Sequence, residues 1–271
     1  MTGQPNLGVA NTCGIGMPDN SKNFENYGIP RIMTADGPAG LRINRECGIN
    51  TTAFPIASML AATWNTELVE KIGEAGAAEV KENNIHIWLT PALNIHRSPL
   101  CGRNFEYYSE DPLIAGKMAA AMVRGIQSQG ICAVPKHFVC NNKETGRRES
   151  DSVVSERALR EIYLKGFKIC VEEAKPRAVM TSYNKMNGIY PSENSELIAG
   201  ILRGEWGFDG MVMSDWGNCA DHIYEIQAGN DIKMPCSDKE DVLKRFKAGE
   251  ITRSQIAVCA KRVLKLILDT E

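Results

Sequence analysis

No stretch of the sequence approaches the roughly 20 consecutive apolar residues that a membrane-spanning helix requires. The opening Met1-Thr-Gly-Gln-Pro-Asn lacks the basic and then apolar segments of a secretory signal, so export is not expected and a cytoplasmic setting is. An excess of charge is missing as well. Lys and Arg number 31 against 33 Asp and Glu, which leaves no field to gather nucleic acid or to coat an anionic membrane, and neither is expected as a partner. There is no C-x-x-C pair to chelate zinc. The 9 cysteines, at positions 13, 47, 101, 132, 140, 170, 219, 236 and 259, are odd in number and scattered, the usage of reduced intracellular thiols. No glycine-rich phosphate loop and no His/Cys/Asp cluster at ligand spacing occurs, so neither a cofactor nor a metal is expected.

What is present is the composition of a soluble globular chain, 43% hydrophobic and 24% charged. A length of 271 residues suits one α/β barrel domain. Short apolar, β-branched runs at 29–34, 85–90, 131–135, 178–182 and 210–214 read as strands. Between and after them, helices are expected at about 66–83, 112–128, 155–174, 194–204, 238–248 and 252–269. Asp111-Pro112 supplies a helix N-cap with proline in the first turn, and Gly130 stands past that helix's end. Ser237-Asp-Lys-Glu240 and Thr252-Arg-Ser-Gln255 are capping-box patterns. Alternating strands and helices imply parallel βα units. The expected fold is α/β, a (β/α)₈ TIM-type barrel over 29–271 with room for irregularity in its first strands, after a Gly-, Asn- and Pro-rich lead-in at 1–28.

Each strand runs out at a polar group: Asp36; Asn94 with His96; Lys136-His137; Tyr183-Asn184; Asp215. A single such residue merely opens a loop. In a (β/α)₈ barrel, however, the C-terminal strand ends share one face, so these residues are expected to meet in one pocket. Lys136-His137 directly after Ala-Val-Pro is the most informative pair, because a cation and an imidazole are rarely buried side by side without a polar group opposite. Hydrogen-bond donors beside a carboxylate suit a sugar.

The same residues carry a family resemblance. Ala35-Asp-Gly-Pro-Ala-Gly-Leu-Arg42, Gly102-Arg-Asn-Phe-Glu-Tyr-Tyr-Ser-Glu-Asp-Pro112, Lys136-His-Phe with Asn141-Asn142, Ser155-Glu-Arg-Ala-Leu-Arg-Glu-Ile-Tyr163 and Gly207-Phe-Asp-Gly-Met-Val-Met-Ser-Asp-Trp216 resemble the barrel domain of glycoside hydrolase family 3, in its β-glucosidase branch. The resemblance runs from about Gly28 to the C-terminus. It implies that Asp215 is the nucleophile of a retaining β-glucosidase-like enzyme. Asp36, Arg103, Lys136, His137, Arg147 and Tyr183 are implied to hold sugar hydroxyls, with Arg42 near the same rim and Trp216 beside the ring. Gly146 departs from the family's Glu-Thr-Asn-Arg pattern just before Arg147.

A retaining glycosidase needs a carboxylate under C1 and an acid to protonate the leaving oxygen, about 5–5.5 Å apart. Lys136 and Arg103 are expected to favour the ionised form of Asp215. Asp36 reads as an acceptor for two hydroxyls, and His137 as a donor to one. Trp216 reads as a stacking wall or as core filling after a buried strand. Glu106, Glu110 and Asp111 read as caps and partners of Arg103. The resemblance implies an acid/base from a complementary α/β domain, which the sequence does not include. The Lys-His-Phe-Pro-Gly-His-Gly loop of single-domain relatives is not here, since Lys136-His-Phe continues as Val139-Cys140-Asn141-Asn142. The expected partner is a β-glucoside or oligosaccharide. An isolated sugar-binding or scaffold barrel with little turnover is the alternative.

Overall fold

The computed structural model describes residues 14–15, 27–30, 32–43, 47–235 and 239–270. The expected irregular lead-in and the capping pattern at Ser237 fall largely outside them.

Strand β1 (Gly14–Ile15) pairs antiparallel with β2 (Ile32–Asp36). Among the described residues the other pairings between strands are parallel, as expected of βα units. β2 pairs with β3 (Ile87–Leu89) in the register Thr34 to Ile87 and Asp36 to Leu89, and β3 with β4 (Cys132–Ala133) through Ile87 to Cys132. Beyond the short pair β5 (Asp151–Ser152) and β7 (Lys185–Met186), β6 (Ala178–Met180) pairs with β8 (Met211–Met213). Single parallel bridges join Phe138 to Thr181 and Met213 to Ile232, linking the β2-β3-β4 group to β6, β8 and the segment after β8. Among the described residues no pairing closes this run of strands on itself.

Alternation along the strands shows what each face meets. Trp88, Ala133, Val179 and Val212 pack among helix residues in one core. Their neighbours Ile87 and Leu89, Cys132, Ala178 and Met180, Met211 and Met213 form a second core made mainly by the strands themselves, joined by Leu266 and Ile267. Successive side chains of a strand point to opposite faces, so a strand buried on both faces reads as a continuous apolar run, which is why these segments were legible as strands. They come out shorter than expected because the pairing ends where the chain turns into the polar loops.

The helices follow the caps. α1 (Ala57–Ala62) was not expected: it is only 6 residues, Ala-Ser-Met-Leu-Ala-Ala, without a side-chain cap. α2 (Thr66–Glu82) starts at Asn65, whose side chain accepts from the Leu68 N–H at 3.0 Å. α3 (Pro112–Ser128) starts at Asp111, which accepts from the Leu113 N–H at 2.7 Å, and Gly130 beyond it has φ +87°. α4 (Glu156–Ala158) widens through Leu159–Tyr163 into α5 (Lys165–Ala174), and Glu196–Glu205 is wide-wound throughout. α6 (His222–Ala228), also unexpected, is capped by Asp221. α7 (Lys239–Lys247) and α8 (Arg253–Asp269) follow, and Thr252 and Gln255 form the expected capping box. No helix of the described residues is long and apolar enough to cross a membrane.

α2 and α3 cross at van der Waals distance because glycine stands at the contact. A Cβ on Gly125 would lie 2.0 Å from the Glu70 carbonyl oxygen, and one on Gly73 would lie 2.7 Å from that of Met122. Arg124 pairs with Glu70 at 2.9 Å beside the crossing. The Gly125→Ala variant, although alanine is the better helix former by about 1 kcal/mol, is expected to be destabilised by about 1–3 kcal/mol because backbone cannot yield to the added methyl. Urea unfolding measures this. A midpoint at or above that of the parent would show that the helices separate without cost.

Candidate active site

A cavity of about 250 Å³ lies over the strand-lined core, at the C-terminal ends of the strands. Asp36 ends β2, Leu89 ends β3, Met180 ends β6, and Asp215 follows β8 by two residues. Leu89 and Met180 make the apolar floor, since their inward-facing positions continue the core beneath. Asp36, Arg42, Arg103, Lys136, His137, Arg147, Tyr183, Asp215 and Trp216 all line the cavity, from segments far apart in the chain. Glu106 and the half-exposed Phe105 line it too.

Asp215 is 7% exposed. Its Oδ1 accepts from the Trp216 N–H at 2.8 Å, while the buried Oδ2 has no hydrogen-bond donor among the described residues. Burial pushes this carboxyl above its ordinary range, against Arg103, Lys136, the Trp216 N–H and Arg147, which each lower it. The expectation that Arg103 and Lys136 favour the ionised form has the sign of their effect right, but desolvation outweighs them.

Each of those cations has its own anion. Lys136, 3% exposed, donates to Asp36 Oδ1 at 2.5 Å, and Arg42 donates to Asp36 Oδ2 at 3.2 Å. Burial raises the Asp36 carboxyl, yet Lys136 and then Arg42 bring it below its ordinary range. Arg103 pairs with Glu106 through Nε and stands 3.8 Å from Glu144. Arg147 donates to Glu144 at 2.8 Å and lies over the Tyr183 ring, 4.4 Å from its centroid. Gly146 has φ +60°, a left-handed turn that asparagine also tolerates, so the departure from the family pattern leaves Arg147 facing the cavity. Burial first, then Asp215, push the Tyr183 hydroxyl up to about 12, and it donates to the Trp216 carbonyl at 2.7 Å.

His137 lines the cavity, but its ring nitrogens are engaged within the protein. Arg103 Nη2 lies 2.8 Å from Nε2, and a guanidinium only donates, so Nε2 is the acceptor and Nδ1 carries the proton. Nδ1 faces Asn94 Oδ1 at 3.4 Å. Burial, then Arg103, Lys136 and Arg147, hold this imidazole well below its ordinary range and keep it neutral. The 3.8 Å approach of Nε2 to Asp215 Oδ2 is therefore between two acceptors and is not an ion pair. In this arrangement neither ring nitrogen offers an N–H to the cavity, contrary to the expected donor, because Arg103 claims the one that faces it.

Three strand-end groups expected in the pocket serve the backbone behind it. Asn94 accepts from the His137 N–H and donates to the His137 carbonyl, both at 2.8 Å. His96 Nε2 lies 2.9 Å from the carbonyls of Asn104 and Tyr107, fixing the turn that carries Arg103. Asn184 donates to the carbonyls of Val139 and Lys185. Of the acidic trio, Glu106 is the partner of Arg103 and Asp111 a cap, but Glu110 lines a separate groove beside Trp64. Trp216 lines the cavity and also packs against the strand-lined core. Sequence reasoning missed Glu144 and Phe105. Glu144 sits in a loop without periodicity, and Phe105 lay inside a motif read only as the approach to a helix. Among the described residues the cysteines are free thiols; burial pushes Cys132 and Cys140 up to about 12, away from nucleophilic use.

Comparison with known proteins adds independent ground. The family described as "Glycosyl hydrolase family 3 N terminal domain" matches residues 17–266. Beta-glucosidase A of Butyrivibrio fibrisolvens is 55% identical over 254 residues, covering 94% of this chain and 30% of that protein. An exo-alpha-(1->6)-L-arabinopyranosidase of Bifidobacterium longum is 42% identical, with 92% of this chain and 34% of the other covered. The structure of beta-glucosidase 3B from Thermotoga neapolitana in complex with glucose superposes with a TM-score of 0.88 at 46% identity, over 97% of this chain and 40% of that one. The chain thus spans about a third of the length of the curated relatives it matches. With the profile covering nearly all of its residues, the chain belongs to glycosyl hydrolase family 3, in the family's N-terminal domain.

Proposed function

We propose that this chain is the sugar-binding, nucleophile-bearing part of a retaining β-glycosidase of the β-glucosidase type, acting on terminal β-D-glucosyl residues from a strand run that completes a (β/α)₈ barrel. The observation that carries the reading is Asp215 Oδ2, a buried carboxylate oxygen in the cavity wall, among cations and without a hydrogen-bond donor among the described residues. Two-sided burial of the strands supports the barrel.

In the first step Oδ2 bonds to the anomeric carbon as the glycosidic bond breaks, and the leaving oxygen takes a proton from an acid; in the second, water displaces the carboxylate from that carbon and gives a proton to the conjugate base of the same acid. Charge passes from the carboxylate to the leaving group, so Arg103 and Lys136, fixed by Glu106 and Asp36, stabilise Asp215 before attack and as it is released. Asp36 keeps lone pairs beyond those used by Lys136 and Arg42 and can accept from sugar hydroxyls. Trp216 offers a ring face beside them.

The acid is not among the cavity's carboxyls in this reading. Asp36 is paired with Lys136 and Arg42 and lies below its ordinary range, and Glu106 is bound to Arg103. A complementary α/β domain is the proposed source. The same observation favours the second reading, a sugar-binding barrel with little turnover.

Leaving groups separate the two. With a 2,4-dinitrophenyl β-glucoside, which departs without protonation, the chain is expected to release a burst of phenolate close to one equivalent, while an alkyl β-glucoside is scarcely hydrolysed. Asp215→Ala is expected to remove the burst, at least about 10³-fold in rate. Absence of any release by the parent protein would leave only the binding reading, and the matching aryl α-L-arabinopyranoside tests the sugar preference.

Activity also depends on the ionisation of Asp215. Its carboxyl is raised by burial, so activity should be present above that raised value and fall as pH drops through it, at a higher pH than an ordinary aspartate would give. Arg103 is the leading cation opposing the rise, so Arg103→Met should shift the acid limb of kcat/KM to higher pH. A limb that stays in place, or moves down, would separate Asp215 from that profile.

A further inference from the structure

The loop that carries Asp215 and Trp216 is held from behind by a buried ion pair outside the cavity. Lys233 and Glu225 do not line it. Glu225 is 0% exposed, on the first turn of α6. The Lys233 ammonium has three protons and places them on Asn218 Oδ1 at 2.5 Å, the Ala220 carbonyl at 2.8 Å and Glu225 Oε2 at 3.0 Å. The other carboxylate oxygen of Glu225 accepts from Asn218 Nδ2 at 2.6 Å, and the same amide donates to Ser192 Oγ at 3.1 Å.

On either side of Lys233 the main chain runs along the same loop. The Ile232 carbonyl accepts from the Ser214 N–H at 3.0 Å, the Met234 N–H donates to Ser214 Oγ at 2.8 Å, and the Met234 carbonyl accepts from the Gly217 N–H at 2.8 Å. Backbone bonds thus fix residues 214 and 217, and the Lys233 side chain fixes 218 and 220. Asp215 and Trp216 lie between these anchors, and the Trp216 N–H donates to Asp215 Oδ1 at 2.8 Å. Loss of the ammonium would strand a buried carboxylate, an amide oxygen and a carbonyl, and the loop could meet that cost only by moving toward water.

We propose that Lys233, clamped between Glu225 and the 218–220 loop, is a positioning residue that sets the attack geometry of Asp215. The proposal rests on Asp215 as the nucleophile. It assigns the pair to the rate of the chemical step rather than to sugar binding, because none of its contacts reaches the residues on the Asp36 side of the cavity.

Two measurements on the chain test it, each with Lys233→Met and with the double variant Lys233→Met/Glu225→Met. The double variant removes both charges together, so it leaves no lone buried ion and keeps the test open if the single variant fails to fold. The first is amide hydrogen exchange of the peptide containing 214–220. The second is covalent trapping by 2,4-dinitrophenyl 2-deoxy-2-fluoro-β-D-glucoside, followed by intact mass and peptide mapping.

The expected result is at least tenfold faster exchange confined to that peptide. With it should come at least a tenfold fall in the first-order trapping constant, and less than a threefold change in the half-saturating reagent concentration. Parent-like exchange overturns the proposal, as does parent-like trapping by a variant whose loop has loosened. If the parent protein is labelled at a residue other than Asp215, or not at all, the nucleophile reading fails and the proposal falls with it; that outcome is told apart because it appears before any variant is made.

Discussion

Burying one carboxylate organises the surroundings of this cavity. Asp215 sits where desolvation opposes its charge, and Arg103, Lys136 and Arg147 offset part of that cost. Lys136 is buried and Arg103 and Arg147 are partly so, and each has an anion of its own, Asp36, Glu106 and Glu144. The result is an alternating array in which exchanging one member leaves the charge of its partner uncompensated. Arg103 shows the consequence most plainly: with one part of its fork on Glu106 and another on His137, it fixes the imidazole as a neutral acceptor and leaves it no free N–H for the cavity.

That array can be rigid because of what lies beneath and behind it. The floor is the strand-lined core that ends in Leu89 and Met180, both buried. Behind the rim are polar groups with no access to the cavity: Asn94 on the His137 backbone, His96 on the Arg103 turn, and the Lys233 and Glu225 pair on the Asp215 loop. The outer helices approach closely enough to hold this frame because glycine stands at their crossings.

Strands and long helices were legible because their signals are local. Two-sided burial makes a continuous apolar run, and Asn65, Asp111 and Thr252 cap the helices that follow them. α1 and α6 escaped since a helix of 6 or 7 residues has too few turns to show a period. In the site, most residues ending a strand or inside a long motif were found, whereas Phe105 within such a motif and Glu144 in an aperiodic loop were not. The importance of Glu144 comes from touching Arg103 and Arg147 at once, a property of three dimensions.

By itself, then, the sequence determined the parallel α/β class, the chain positions where polar groups gather, and most of the residues that line the cavity, because backbone propensity and family motifs are written along the chain. Only the tertiary structure decided what those groups do to one another. It turned His137 into an acceptor, turned Asn94, His96 and Asn184 to the backbone, and let desolvation outweigh the cations at Asp215, since hydrogen-bond direction and burial depend on neighbours that folding brings in from distant parts of the chain.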